Sequence, residues 1–154
     1  MGPNRTKTRR TRDAPEECIT PSGVESVSHV ILFSRFPVAG QAKTRMIPAL
    51  GPEGAARLHR RLAERAVAVA REVRGEGGIS VTVWSTGGSR RDFRAWLGSG
   101  LCFRDQGAGD LGQRMQEAIA QAIAHGAARA LVVETDVPGI RADPLRQAFC
   151  LLPG

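Results

Sequence analysis

Tyrosine is absent, and five phenylalanines and two tryptophans bring the aromatic content to only 5% of 154 residues. So few rings argue against a single-strand nucleic-acid binder, which stacks bases on exposed aromatic side chains. The three cysteines, Cys18, Cys102 and Cys150, are odd in number and far apart. They lack the CxxC or Cys/His spacing of a zinc site or a disulfide framework, and a reducing cytoplasm is the simplest setting for them. No apolar run approaches the roughly 20 residues that cross a bilayer, and the N-terminus lacks the apolar centre of a signal peptide, so the sequence predicts neither a membrane anchor nor export. Lysine is scarce too. Beyond Lys7 the only lysine is Lys43.

What is present is ordinary for a folded domain: 42% hydrophobic and 24% charged residues. A chain of this size forms one domain and buries about 68–70% of the surface it would expose unfolded. The net charge of +7 has to be located before it is interpreted. Arg57, Arg60, Arg61, Arg65, Arg71 and Arg74 lie along one predicted helix among alanines and valines, the pattern of a solvated helix face rather than of a polyanion-binding surface. Residues 1–28 carry five basic residues, prolines and almost no apolar periodicity, and read as a disordered basic tail. The alternative for them is a basic arm that docks on nucleic acid or an acidic partner.

From His29 onward, strand and helix signals alternate. Val30 to Phe33 is a continuous apolar run, as in a strand buried on both faces. Pro52 opens a helix that runs to about Arg74, with Leu58, Leu62, Ala66, Val69 and Val73 at helical spacing. Strands are expected at Ile79–Trp84, Leu101–Phe103 and Arg129–Val133, and helices at Arg91–Leu97 and Leu111–His125. Met115, Ile119, Ala122 and Ile123 would face inward on the second of these helices. Asp143 and Pro144 read as the cap and first turn of a last helix through Leu152. Regular βα alternation predicts a three-layer α/β/α domain with a mostly parallel sheet, and in such sheets ligands lie off the carboxyl ends of the strands.

Three loops therefore matter. The first, Ser34 to Arg45, contains Arg35, Pro37 and Gly40, then Lys43 and Arg45, a point charge and a planar fork suited to phosphate oxygens. It is not a Walker A loop, because Pro37 and Ala42 stand where that motif needs glycine. Its plainer alternative is a surface connection. The second, Gly107, Gly109 and Gly112, is a literal GxGxxG, but Arg104, Asp105 and Gln106 separate it from its strand core. Asp110 and Gln113 have the spacing of a capping box, which also explains these residues locally. The third, Glu134 to Gly139, offers Asp136 on a turn, either as a ligand for a hard cation carried by phosphates or as an ordinary turn aspartate. His29, His59 and His125 share no ligand spacing, and no Ser/His/Asp or Cys/His set emerges.

In order and separation, FSRFPVAGQAKTRMIPALG, DQGAGDLGQRMQEAI and ETDVPGI resemble the GT-A-like bacterial transferases known as radical-SAM/selenodomain-associated transferases, distant relatives of the nucleotide-diphospho-sugar transferases. The resemblance spans His29 to about Leu152 and is loosest in the third segment, where that family has Gly-Ser-Asp-Cys-Pro. It implies a nucleotide or nucleotide sugar held by Arg35, Pro37, Gly40, Lys43 and Arg45, with Gln106, Asp110 and Arg114 beside it and Mg2+ or Mn2+ on Asp136. The implied reaction is glycosyl or nucleotidyl transfer. Such families continue into a further strand, so the acceptor side of the site is expected outside these residues, with an exposed sheet edge that favours self-association. A non-catalytic nucleotide-binding remnant, a half-enzyme completed by a partner and a Rossmann-type NAD(P) binder are the alternatives.

Overall fold

A computed structural model describes residues 28–153. The chain alternates strictly: β1 (Ser28–Arg35), α1 (Ile47–Gly75), β2 (Ile79–Thr86), α2 (Arg90–Leu97), β3 (Cys102–Asp105), α3 (Leu111–Ala124), β4 (Arg129–Glu134) and α4 (Ala142–Leu151). Ser28 already belongs to β1, and the rest of the basic segment lies outside the described residues.

The four strands are all parallel, in the order β3-β2-β1-β4. β1 is central. Its Val30, Ile31 and Leu32 are wholly buried because both faces of the sheet are covered at this strand. Even-numbered residues of β1 join α1, α2 and α4 in one core with Val67, Ala70, Phe93, Leu97 and Phe149. Odd-numbered Ile31 and Phe33 meet Ala118 and Ala122 of α3 on the other face. The three-layer α/β/α arrangement expected from the alternation is therefore present, with α3 alone on its side.

Local sequence explains the boundaries. Gly51, at φ 72° and ψ 165°, interrupts α1, so its regular part begins at Pro52, whose missing N–H costs nothing in a first turn. Small residues, Ala55, Ala63, Ala66 and Ala70, let α1 lie close on the sheet. Asp110 and Gln113 form the expected capping box at the start of α3, each side chain bonding the other's backbone N–H at 2.9 Å.

Two expectations need correction. α4 is capped by Arg141 without a side-chain bond, and Asp143 sits inside its first turn. The buried side of α3 is Ala118 and Ala122, with Met115 half-buried, while Ile119 and Ile123 remain 39% and 48% exposed. Cys150 is free and exposed. Among the described residues, no helix is long and apolar enough to cross a membrane.

Candidate functional site

β1 lies between β2, reached through α1 on one face, and β4, reached through α3 on the other. The chain thus diverges at the carboxyl ends of β1 and β4, where open parallel sheets form a ligand crevice. The first and third loops of the sequence reading both end there.

The β1–α1 loop is anchored at its base. The Phe36 N–H bonds the Thr86 carbonyl at 2.9 Å, and the Phe36 ring packs edge-on against Phe93 and Trp96 of α2. The buried His59 of α1 donates from Nε2 to the Arg35 carbonyl at 2.8 Å, tying the last residue of β1 to the helix. The loop then turns at Val38, whose carbonyl accepts from the N–H groups of Gln41 and Ala42, both at 3.0 Å. Gly40, exposed with φ 82°, supplies a conformation that other residues adopt with difficulty. Arg35 and Arg45 are exposed and Pro37 is half-buried along this loop.

Lys43 closes the turn. Among the described residues it is the only non-glycine residue with positive φ, at φ 50° and ψ 46°. A left-handed backbone costs an ordinary residue about 1–2 kcal/mol, and such conformations gather at ligand-binding loops. From this position Lys43 Nζ donates to the Asp136 carboxylate Oδ2 and to the Asp136 carbonyl, each at 3.1 Å. Two loops 93 residues apart are joined by that one ammonium group.

Asp136 is placed by its neighbour. The buried Thr135 extends the β4–β1 pairing beyond the strand, its N–H and hydroxyl both donating to the Phe33 carbonyl, at 3.0 and 3.1 Å. Asp136 follows directly, just beyond the carboxyl end of β4.

The second loop joins through Gln106. This side chain is buried, and its amide is engaged at both ends: Nε2 donates to the carbonyls of Trp84 at 2.9 Å and Ser34 at 3.3 Å, while Oε1 accepts from Arg114 at 2.7 Å. Gln106 therefore ties the carboxyl ends of β1 and β2 to the first turn of α3. Arg114 also donates from Nε to the Asp110 carbonyl at 3.3 Å, so its guanidinium is fixed beside the helix start. The glycines of this loop serve geometry. At Gly109, with φ 101°, a Cβ would lie 2.7 Å from Gln113 Oε1 and displace the capping side chain. The Ser34 hydroxyl, buried at the end of β1, has no hydrogen-bond partner.

All nine residues singled out from the sequence thus lie in or beside the three loops at the carboxyl end of the sheet. Sequence reasoning did not find the pairing of Lys43 with Asp136 or the anchoring roles of Phe36, His59 and Thr135. No spacing rule relates residues so far apart in the chain.

Residues 55–153, more than half of the chain, match the family described as "Uncharacterized protein conserved in bacteria (DUF2064)". The chain belongs to this family. No match is found among the curated proteins. A solved structure from Desulfovibrio desulfuricans G20, described as a "putative nucleotide-diphospho-sugar transferase", superposes with a TM-score of 0.72 at 25% identity. The alignment covers 81% of this chain and 53% of that one, so this DUF2064 chain spans about half the length of its structural relative. The fold is that of the nucleotide-diphospho-sugar transferases, as the sequence segments implied.

Whether the DUF2064 site suits a cation depends on its donors. Among the described residues, no three His, Cys, Asp or Glu side chains converge, so there is no all-protein cage. Mg2+ is commonly held by one or two carboxylates together with substrate phosphates and water. A single carboxylate beside basic side chains fits a cation of that kind, one that arrives with its phosphates.

Proposed function

We propose that this domain binds the phosphates of a nucleotide or nucleotide sugar together with Mg2+ or Mn2+, as the nucleotide-binding part of a glycosyl- or nucleotidyltransferase. The observation that carries the proposal is the meeting of Lys43 and Asp136 at the topological switch point. An ammonium group and a carboxylate side by side there offer one partner for phosphate oxygens and one for a cation. Arg45, exposed on the same loop, adds a planar fork for phosphate.

In either transfer, negative charge grows on a departing phosphate or diphosphate. Lys43 and Arg45 would stabilise it electrostatically, Asp136 would hold the cation, and the cation's own contribution is Lewis-acid charge stabilisation. Gln106 and Arg114 would act through position, keeping the first turn of α3 against the ends of β1 and β2. None of the residues named here is assigned to the acceptor or to its activation. A Rossmann-type NAD(P) site is not favoured, because its glycine motif follows the strand at the switch point, whereas Gly107 to Gly112 follow the edge strand β3.

A thermal-shift comparison of nucleoside di- and triphosphates, nucleotide sugars and NAD(P), each with and without Mg2+ or Mn2+, tests the proposal. Stabilisation by a nucleotide or nucleotide sugar, increased by the metal and not increased in Asp136→Asn, is the expected result. Stabilisation by NAD(P) alone, without metal, would overturn it.

A further inference from the structure

We infer that Lys43 is a built-in placeholder for the divalent cation: its ammonium keeps a free cation off Asp136 until a polyphosphate draws it away. This inference rests on the nucleotide and cation site proposed above and adds a rule for how that site fills.

The geometry is specific. One ammonium occupies both the carboxylate Oδ2 and the main-chain carbonyl of Asp136, each at 3.1 Å, which are the oxygens a hard cation would seek. Lys43 and a divalent cation cannot share them, because two positive charges would then lie within a few ångströms of one another. The ammonium is a compact charge on a flexible stem, so it can leave the carboxylate for a phosphate while its backbone stays in place. Its side chain and that of Asp136 are 22% and 41% exposed, and ion pairs of that exposure are weak. A pair of that strength lowers the affinity for a free cation by no more than about five-fold, and it yields to a polyphosphate, which offers Lys43 more negative charge than one carboxylate.

Cation and phosphate binding are then coupled. Phosphate takes Lys43 and releases Asp136, the cation takes Asp136 and releases Lys43, and each ligand raises affinity for the other by the same factor. A surface bridge without this role would leave Mn2+ affinity indifferent to the ammonium.

The test measures protein-bound Mn2+ by water-proton relaxation, with and without inorganic pyrophosphate, in the wild type, Lys43→Gly, Arg45→Gln and Asp136→Asn. Glycine suits φ 50° at this position, so Lys43→Gly removes the ammonium without disturbing the turn, and a circular-dichroism melt verifies the fold. Without pyrophosphate, Lys43→Gly should bind Mn2+ up to about five-fold more tightly than the wild type, the factor that an exposed ion pair is worth. Pyrophosphate should tighten Mn2+ binding in the wild type and do so less in Lys43→Gly. If Lys43→Gly binds free Mn2+ no better than the wild type, or Arg45→Gln improves it as much, the placeholder role is overturned while the cation site stands. If pyrophosphate brings no Mn2+ to the wild type, or Asp136→Asn binds it equally well, the site itself is wrong and the placeholder role falls with it.

Discussion

Mild acid should destabilise this domain through His29. The imidazole sits on β1 and bonds hydroxyls of β2, with Nδ1 to the Ser80 Oγ and Nε2 to the Thr82 Oγ1, the latter at 2.9 Å. Those hydroxyls accept as readily as they donate, so hydrogen bonding alone does not forbid a charged ring. Burial does: it lowers the pKa from 6.5 to about 4, with Arg104 and His125 adding repulsion. Between those two values the unfolded chain binds a proton that the folded chain refuses. The stability contributed by the neutral ring is therefore complete above pH 6.5 and is lost as the pH falls towards about 4.

The interval from 6.5 to about 4, at about 1.4 kcal/mol per pH unit, sets a ceiling of about 3 kcal/mol. The ring is only partly buried, and screening by solvent brings the expected loss to about 2 kcal/mol. That is a large part of the roughly 5–15 kcal/mol that holds a domain together. Urea unfolding followed by the fluorescence of Trp84 and Trp96, at several pH values between about 7.5 and 4.5, measures the loss as a falling midpoint at constant slope. His29→Gln keeps a polar group for the hydroxyls but cannot titrate in this range, so its stability should change less with pH. Glu76 and Asp92, held below their ordinary 4.5 and 3.8 by Arg146 and Ser89, begin to lose their contributions as the pH falls towards those values, equally in wild type and His29→Gln, so the difference between the two profiles still reports His29. Parallel pH profiles for wild type and His29→Gln would refute the argument.

Four further outcomes are expected. Gln106→Leu removes the acceptor of Arg114 Nη1 and the side-chain donor to two strand-end carbonyls, and should cost about 1–3 kcal/mol by urea unfolding; an unchanged midpoint would count against a tie between α3 and the sheet. Lys43→Ala should weaken nucleotide binding by about 1.5–3 kcal/mol by calorimetry with little change in folding, whereas Arg61→Ala, on the exposed side of α1, should not; equal losses would point to a diffuse basic surface. Gly88→Ala places a Cβ 2.8 Å from the Phe36 ring and should lower stability by about 1–3 kcal/mol, while an unchanged melting temperature would show that the ring yields freely. Light scattering should find self-association through the exposed isoleucines of α3 and the neighbouring β4 edge that the double variant Ile119→Glu, Ile123→Lys reduces, and a wild-type monomer at high concentration would count against this surface.

The elements were legible because their signals are local. Val30 to Phe33 can only be a doubly covered strand, Pro52 marks the regular start of α1 although Gly51 links it to an earlier turn, and Asp110 with Gln113 announces the start of α3. The loops of the candidate site were legible for a related reason: once the elements alternate, the carboxyl ends of the strands follow from the order of the chain. What joins those loops was not. Lys43 meets Asp136 only because Thr135 extends β4 against β1 and Lys43 adopts a left-handed backbone, neither of which leaves a pattern in the sequence.

The misplacement of Ile119 and Ile123 has a different cause. Helical periodicity gives the width of an apolar face but not how much of it the rest of the molecule covers. One flank of α3 is turned towards β3, since Gln121 accepts from Arg104 and Arg114 donates to Gln106. Helical spacing puts Ile119 and Ile123 on the opposite flank, towards β4, which is hydrogen-bonded on one side only among the described strands. Leu131, Val132 and Val133 of β4 are likewise only half-buried. An apolar helix flank and a strand edge unpaired among the described residues therefore share one side of the molecule. The inward expectation for the two isoleucines failed because periodicity counted them into the apolar face, while no described element packs over that flank of α3.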